Sequence, residues 1–144
     1  MSARFDTATG LFTGYASLFG LADAQKDVVE PGAFAATLAR RGPAGIRMLW
    51  QHDPATPLGL WLALTEDERG LRVTGKLTTS TARGAETLDL LRAGALDGLS
   101  IGFKAVKAAA DRRRGLRRLI EIDLWEVSIV TFPALPGARV TALG

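Results

Sequence analysis

Cysteine is absent from the 144-residue chain, and histidine occurs once, at His52. The first absence removes disulfides, thiolate metal sites and cysteine nucleophiles together. The second leaves few groups able to move protons near neutral pH, where histidine has its ordinary pKa. One histidine without cysteine would leave a metal only oxygen ligands, so neither a metal nor another cofactor is expected. No basic start followed by an apolar run marks a signal peptide, and no uninterrupted apolar stretch reaches membrane-spanning length. The expectation is a protein without a membrane partner that stays in the cytoplasm where it is made.

What the chain does contain is a globular balance, 47% hydrophobic and 23% charged. A single domain over residues 1–144 is expected, burying roughly two thirds of the surface its unfolded chain exposes. The basic excess is local. "DRRRGLRR", Asp111 to Arg118, sets five arginines against one aspartate, whereas the whole chain carries +3. Such a block can bind nucleic acid or an acidic partner. No aromatic residue is interleaved there for base stacking. The preferred reading is a solvated hairpin tip whose arginines protect an exposed edge, with no nucleic-acid partner.

Sixteen glycines and six prolines cut the chain into short apolar runs, a pattern of many strands and few helices. "RFDTATGLFTGYASLFG" reads as an opening hairpin turning near Thr9-Gly10. "PGAFAATLARRG" reads as a short helix, with Pro31 near its first turn, Phe34 and Leu38 on one face and Gly42 as the stop. "IRMLWQH" is a strand, and "LGLWLALTEDERGLRVTGKLTT" is a hairpin turning at Glu68-Arg69-Gly70. A second helix is expected in "STARGAETLDLLRAG", capped by Ser80 or Thr81 and ended by Gly94. "LSIGFKAVKAA" and "LRRLIEIDLWEVSIVTFPA" are strands joined by the arginine-rich turn. Strands dominate and helices are too few to alternate with them. The prediction is a mostly β fold, a mostly antiparallel sheet or barrel with about two to three short peripheral helices.

With cysteine absent, a nucleophile would come from serine, threonine, lysine or a carboxylate. "GLSIG", Gly98 to Gly102, matches the G-x-S-x-G pattern of a nucleophile elbow. An elbow needs a strand before the serine and a helix after it, yet here a helix precedes and the strand-like "IGFKAV" follows. The hydrolase order also places histidine last, whereas His52 precedes Ser100. An α/β-hydrolase is therefore rejected. Two flanking glycines would still clear a strand face so that a substrate backbone can approach the Ser100 hydroxyl. The alternative is a small residue tolerated in a crowded sheet, and spacing alone favours it.

By alternation His52 ends the row Ile46, Met48, Trp50, at the mouth of a loop opened by Asp53-Pro54. Its charge state there is open to a neighbouring carboxylate. Asp53 is a poor neighbour, because adjacent strand residues point to opposite faces. A lone histidine is more often a satisfied structural residue than a catalyst, and parity does not reverse that order. In "LIEIDLWEVSIVTFPA", Ile120, Ile122, Leu124, Glu126, Ser128, Val130 and Phe132 share one face. Glu126 sits mid-strand among apolar residues, where a carboxylate needs a hydrogen-bonded or charged partner. An imidazole is one such partner, as the orienting group of a triad requires; an arginine is the other. Asp123, on the opposite face, is the second choice.

These segments resemble the tailed-phage (caudovirus) prohead serine proteases over nearly the whole chain. "GYASLFG", "DVVEPGAF" and "TL" look like that family's opening, and "LWQHDPATPLG" like its histidine segment. "GALDGLSIGF" looks like its serine segment, and "LWEVSIVTFPA" with Pro136, Ala138 and Val140 like its closing strand. The resemblance implies a fold similar to the herpesvirus assemblins, an antiparallel β-barrel wrapped by a few helices. It implies Ser100 as nucleophile, His52 as general base and Glu126 as the third polar group. A serine endopeptidase follows, cleaving the major capsid protein or a scaffold segment inside the assembling procapsid, as a homo-oligomer or a capsid-interior assembly. The competing expectation is a non-enzymatic capsid-assembly factor that binds those proteins through a protease-like fold.

Overall fold

In the computed structural model, which describes residues 9–143, the short apolar runs form eight strands and two helices among the described residues. The strands are β1 (Leu11–Leu18), β2 (Asp27–Val29), β3 (Arg47–Trp50) and β4 (Asp53–Glu66). They continue with β5 (Gly70–Leu77), β6 (Gly98–Asp111), β7 (Leu116–Val130) and β8 (Val140–Leu143). One sheet runs β2-β7-β3-β4-β5-β1-β8, with β6 on β7. It curls so that the start of β6 touches the start of β8. Leu99 N–H donates to the Ala138 carbonyl at 2.9 Å, Val140 N–H to the Asp97 carbonyl at 2.8 Å, and Gly98 bridges Arg139. The fold is thus mostly β, a curled and mainly antiparallel sheet with peripheral helices; only β2 and β3 lie parallel to their neighbour β7.

The inward faces make one core. Phe12, Met48, Leu58, Leu77, Leu99 and Leu124 are each 1% exposed or less, and burying a side chain of that size contributes about 1.5–3 kcal/mol. Trp61 meets Phe12 edge-on at 5.5 Å between centroids, a favoured aromatic geometry.

Strand β7 organises the sheet. Its 15 residues hold β6 along one edge, while β2 takes Arg117–Leu119 and β3 takes Glu126–Ile129 on the other. Between those two stretches the edge has no strand neighbour, and its N–H groups need other acceptors. The segment around helix α1 (Ala35–Arg41) supplies them: Ile122 N–H donates to the Ala33 carbonyl at 3.1 Å and Leu124 N–H to Thr37 Oγ1 at 3.0 Å. This explains why Thr37 is fully buried beside Phe34 while Leu38 is only partly so. Helix α2 (Ala82–Ala93) starts and stops as its sequence indicates. Thr81 Oγ1 accepts from Gly84 N–H, and Gly94 takes the left-handed φ of 71°.

Some expectations shift. The first arm of the opening hairpin lies outside the described residues; β1 pairs with β5 and β8. Alternation on β7 slips where the register against β6 changes near Lys107, so Leu119 turns inward and Ile120, at 42% exposure, outward. The arginine-rich segment is the β6–β7 turn, and three of its arginines are tied down. Arg114 pairs with Asp111 at 2.7 Å, Arg117 with both oxygens of Asp27 at 2.8 and 3.0 Å, and Arg118 with Glu30 at 2.5 Å. Among the described residues no helix is long and apolar enough to cross a membrane.

Candidate active site

Strand β3 does not run on to His52. It pairs with β4 up to Trp50 and Asp53, which leaves Gln51 and His52 as a two-residue turn. Both have positive φ, 52° and 60°, as a type I′ hairpin turn requires. Glycine and asparagine adopt this backbone readily, whereas for other residues it costs about 1–3 kcal/mol each. The alternation that put His52 in line with Trp50 therefore stops two residues short of it. The turn, not the strand, aims the imidazole.

Bonds from the end of β7 hold this turn. Gln51 N–H donates to the Ile129 carbonyl at 3.0 Å. The Gln51 side-chain amide donates to Thr131 Oγ1 at 2.7 Å and accepts from Thr131 N–H at 3.1 Å. His52 N–H donates to Ser128 Oγ at 2.9 Å, and Ser128 Oγ–H donates to Glu126 Oε1 at 2.7 Å. The other oxygen, Oε2, is hydrogen-bonded to His52 Nδ1. His52, Glu126 and Ser128 thus close a ring of hydrogen bonds. The Glu126 side chain is 12% exposed and that of His52 44%. The hydrogen bond to Glu126 is the main cause raising the His52 pKa above its ordinary 6.5; partial burial opposes it and the Glu126 charge adds to it.

Across the sheet, β6 sets Ser100 opposite Ser128 and Gly102 opposite Glu126. A Cβ at Gly102 would stand 2.2 Å from Glu126 Oε2, and one at Gly98 would stand 2.7 Å from the Pro133 ring and from the Val130 carbonyl. The space beside Ser100 expected to admit a substrate backbone is filled by the protein's own atoms. Gly102 makes room for the Glu126 carboxylate. Ser100, 8% exposed, and His52 both line one open cavity of about 330 Å³, with Leu18, Asp23, Asp27, Phe103 and Leu135 around it. The hydrogen bonds of His52 run to Glu126 and Ser128, not to Ser100 Oγ. Nucleophile–base contacts are commonly long until substrate binds.

The other carboxylates are committed elsewhere. Asp123 faces α1, accepting from Arg40 at 2.6 Å, Arg41 at 2.9 and 3.1 Å, Thr37 at 3.2 Å and Trp125 at 2.9 Å. Arg41 first, then Trp125, hold its carboxyl far below the usual carboxylate range. Asp53, the first residue of β4, turns back on its own segment to Ala55 N–H and the Thr56 hydroxyl, which lowers its pKa. Among the described residues no three histidine, aspartate or glutamate side chains converge as metal ligands would. Sequence reasoning put Ser128 on the face of Glu126 without giving it a part, and passed over Gln51 and Thr131. The signal for Ser128 was a hydroxyl two residues from a carboxylate on a buried face.

The sequence profile of the caudovirus prohead serine proteases matches residues 1–143. The prohead protease of Enterobacteria phage HK97 is 35% identical over 140 residues, covering 96% of this chain and 62% of that protein, so the chain spans less than two thirds of its length. Among solved structures, the capsid assembly protease of bacteriophage T4 superposes with a TM-score of 0.66 at 12% identity, over 83% of this chain and 80% of that one. The varicella-zoster virus protease gives 0.59 at 16% identity, over 91% and 62%. At such identities the two structures bear on the fold alone.

Proposed function

The chain belongs to the caudovirus prohead serine proteases, and from that premise we propose that it is a serine endopeptidase of procapsid maturation, a single domain acting on the major capsid protein or a scaffold segment inside the assembling shell. One observation carries the mechanism: His52, held through Nδ1 by Glu126, lines the same cavity as Ser100. A carboxylate on Nδ1 keeps a proton there and leaves the Nε2 lone pair to act as base. Ser100 Oγ–H gives its proton to Nε2 as Oγ bonds to the scissile carbonyl carbon, and Glu126 stabilises the imidazolium that forms. That proton passes to the departing amine as the C–N bond breaks. Water, deprotonated by the same base, then hydrolyses the acyl-enzyme. The commitment of Asp123 to α1 supports Glu126 as the third member.

Room for an extended peptide comes from the β6 edge. Beyond Leu99, β6 pairs only with β7 among the described residues, so a substrate segment can add as a strand beside Ser100.

The test is co-expression with the neighbouring capsid gene, followed by mass spectrometry of the major capsid and scaffold proteins. Wild type should remove a segment; Ser100→Ala should fold to the same melting temperature and leave it in place. Processing that survives Ser100→Ala sinks the proposal. A wild-type protein that binds its partners and cuts neither is the non-enzymatic assembly factor instead.

A further inference from the structure

The turn that presents His52 has a backbone its residues do not favour, and one buried hydroxyl touches both ends of the His52–Glu126 pair. We propose that Ser128 is a positioning residue of this site: its hydroxyl ties the His52 backbone to the Glu126 carboxylate and so holds Oε2 against Nδ1. The inference rests on the protease reading above.

A serine hydroxyl has one proton to give and lone pairs to accept with. Ser128 uses both sides, giving its proton to Glu126 Oε1 at 2.7 Å and accepting His52 N–H at 2.9 Å. The residue is 0% exposed, so water does not compete for either bond. Each bond answers a need. A glutamate held by one oxygen alone can swing about its side-chain torsions, whereas a donor on the second oxygen sets the plane of the carboxylate. A left-handed residue in a two-residue turn points its N–H away from the ladder, and the part-buried N–H of His52 finds its acceptor in Ser128. Gln51 and Thr131 close the turn from its other side. Ser128 faces Ser100 across the ladder, but its burial and the commitment of its proton to Glu126 leave it no part as a nucleophile.

The carboxylate in contact with His52 is Glu126. Asp23 and Asp27 lie on the cavity wall, Asp27 paired with Arg117, and Asp53 bonds to Ala55 and Thr56 at the start of β4. With one histidine in the chain, its imidazole gives a single, unambiguous NMR titration.

The experiment titrates that resonance and measures capsid-protein cleavage in the full chain as wild type, Ser128→Ala, Ser128→Cys and Ser128→Thr. The cysteine variant keeps the volume of the side chain but replaces a strong donor by a weak one. In Ser128→Ala and Ser128→Cys, His52 should titrate lower than in wild type, and kcat should fall about 10- to 100-fold with KM little changed, as loss of an orienting bond to a charged group predicts. Ser128→Thr, which keeps the hydroxyl, should restore both. If wild type cuts while a folded Ser128→Ala or Ser128→Cys keeps its turnover and its His52 titration, the positioning role falls and the protease reading stands. If wild type cuts nothing, the protease reading falls and takes the catalytic role of Ser128 with it. If neither hydroxyl-free variant folds, the hydroxyl serves the fold and the proposal is overturned.

Discussion

Replacing Gly102 by alanine adds one methyl group beside the His52–Glu126 pair. The new Cβ would stand 2.2 Å from Glu126 Oε2, 2.7 Å from its Cδ and 2.8 Å from its Cγ. Non-bonded carbons settle at about 3.5–4.0 Å, so the carboxylate must retreat by roughly an ångström. It can do so, because the obstacle is the end of a flexible side chain, and Gly102 has no positive φ that alanine would resist. The fold should therefore tolerate the change. Alanine in a strand interior gains about 0.5–1 kcal/mol over glycine, which offsets part of the displacement, and the melting temperature should move by no more than about 4 °C. Activity should not tolerate it. A hydrogen bond to a charged group is worth about 1.5–3 kcal/mol, and its loss lowers kcat about 10- to 150-fold. KM should change little, because the methyl group points at Glu126 and not at the β6 edge. The assay is cleavage of purified capsid protein with kcat and KM resolved, beside a thermal melt. A folded Gly102→Ala enzyme with wild-type turnover refutes the reasoning; a raised KM with kcat intact would restore Gly102 as space for substrate.

The remaining predictions concern charge. In the proposed mechanism His52 acts as a neutral base, and its pKa is raised by Glu126, so wild-type kcat/KM should fall as the pH drops through an apparent pKa above 6.5. Glu126→Gln should move that acid limb to lower pH and lower the plateau; a limb that stays in place would show that Glu126 does not set the basicity of His52. Stability carries the opposite slope, because a raised histidine pKa contributes below the unfolded value and is lost as the pH rises through the folded one. The melting temperature of wild type relative to Glu126→Gln should thus gain more at pH 6 than at pH 8, both pH values chosen to bracket the ordinary histidine pKa of about 6.5. Asp123→Asn should lower the melting temperature, since its partners join α1 to β7, yet leave the pH–rate profile unmoved. Its depressed carboxyl contributes stability above about pH 3.9 that is lost as the pH falls, so wild type and Asp123→Asn should converge in acid; loss of activity with a normal melt would reverse the roles of the two carboxylates.

Glu126 was visible in one dimension because a carboxylate in the middle of an apolar face cannot stay unpartnered. The caps of α2 were visible because Thr81 and Gly94 act within one turn of themselves. Those inferences need only the repeat of a strand or helix and the chemistry of neighbouring residues. Gln51-His52 carries no such signal, since neither residue announces a left-handed turn, and strand alternation has already ended at Trp50. What Gly102 makes room for is likewise a long-range contact, the Glu126 carboxylate. A glycine tells that a side chain is excluded, but not which atoms exclude it.

By itself, then, the sequence determined the strand-rich pattern, the positions of both helices, and a short set of polar residues that its own alternation could not satisfy. Only the tertiary structure decided which of them meet. His52 and Glu126 are 74 residues apart and His52 and Ser128 are 76 apart, and no local rule spans that distance. They come together because the curled sheet lays β3 parallel to β7 while β6 flanks its other edge. The curl of the sheet, which no single segment encodes, brings Ala16 to Leu18 of β1 to the histidine turn and the serine strand around one cavity.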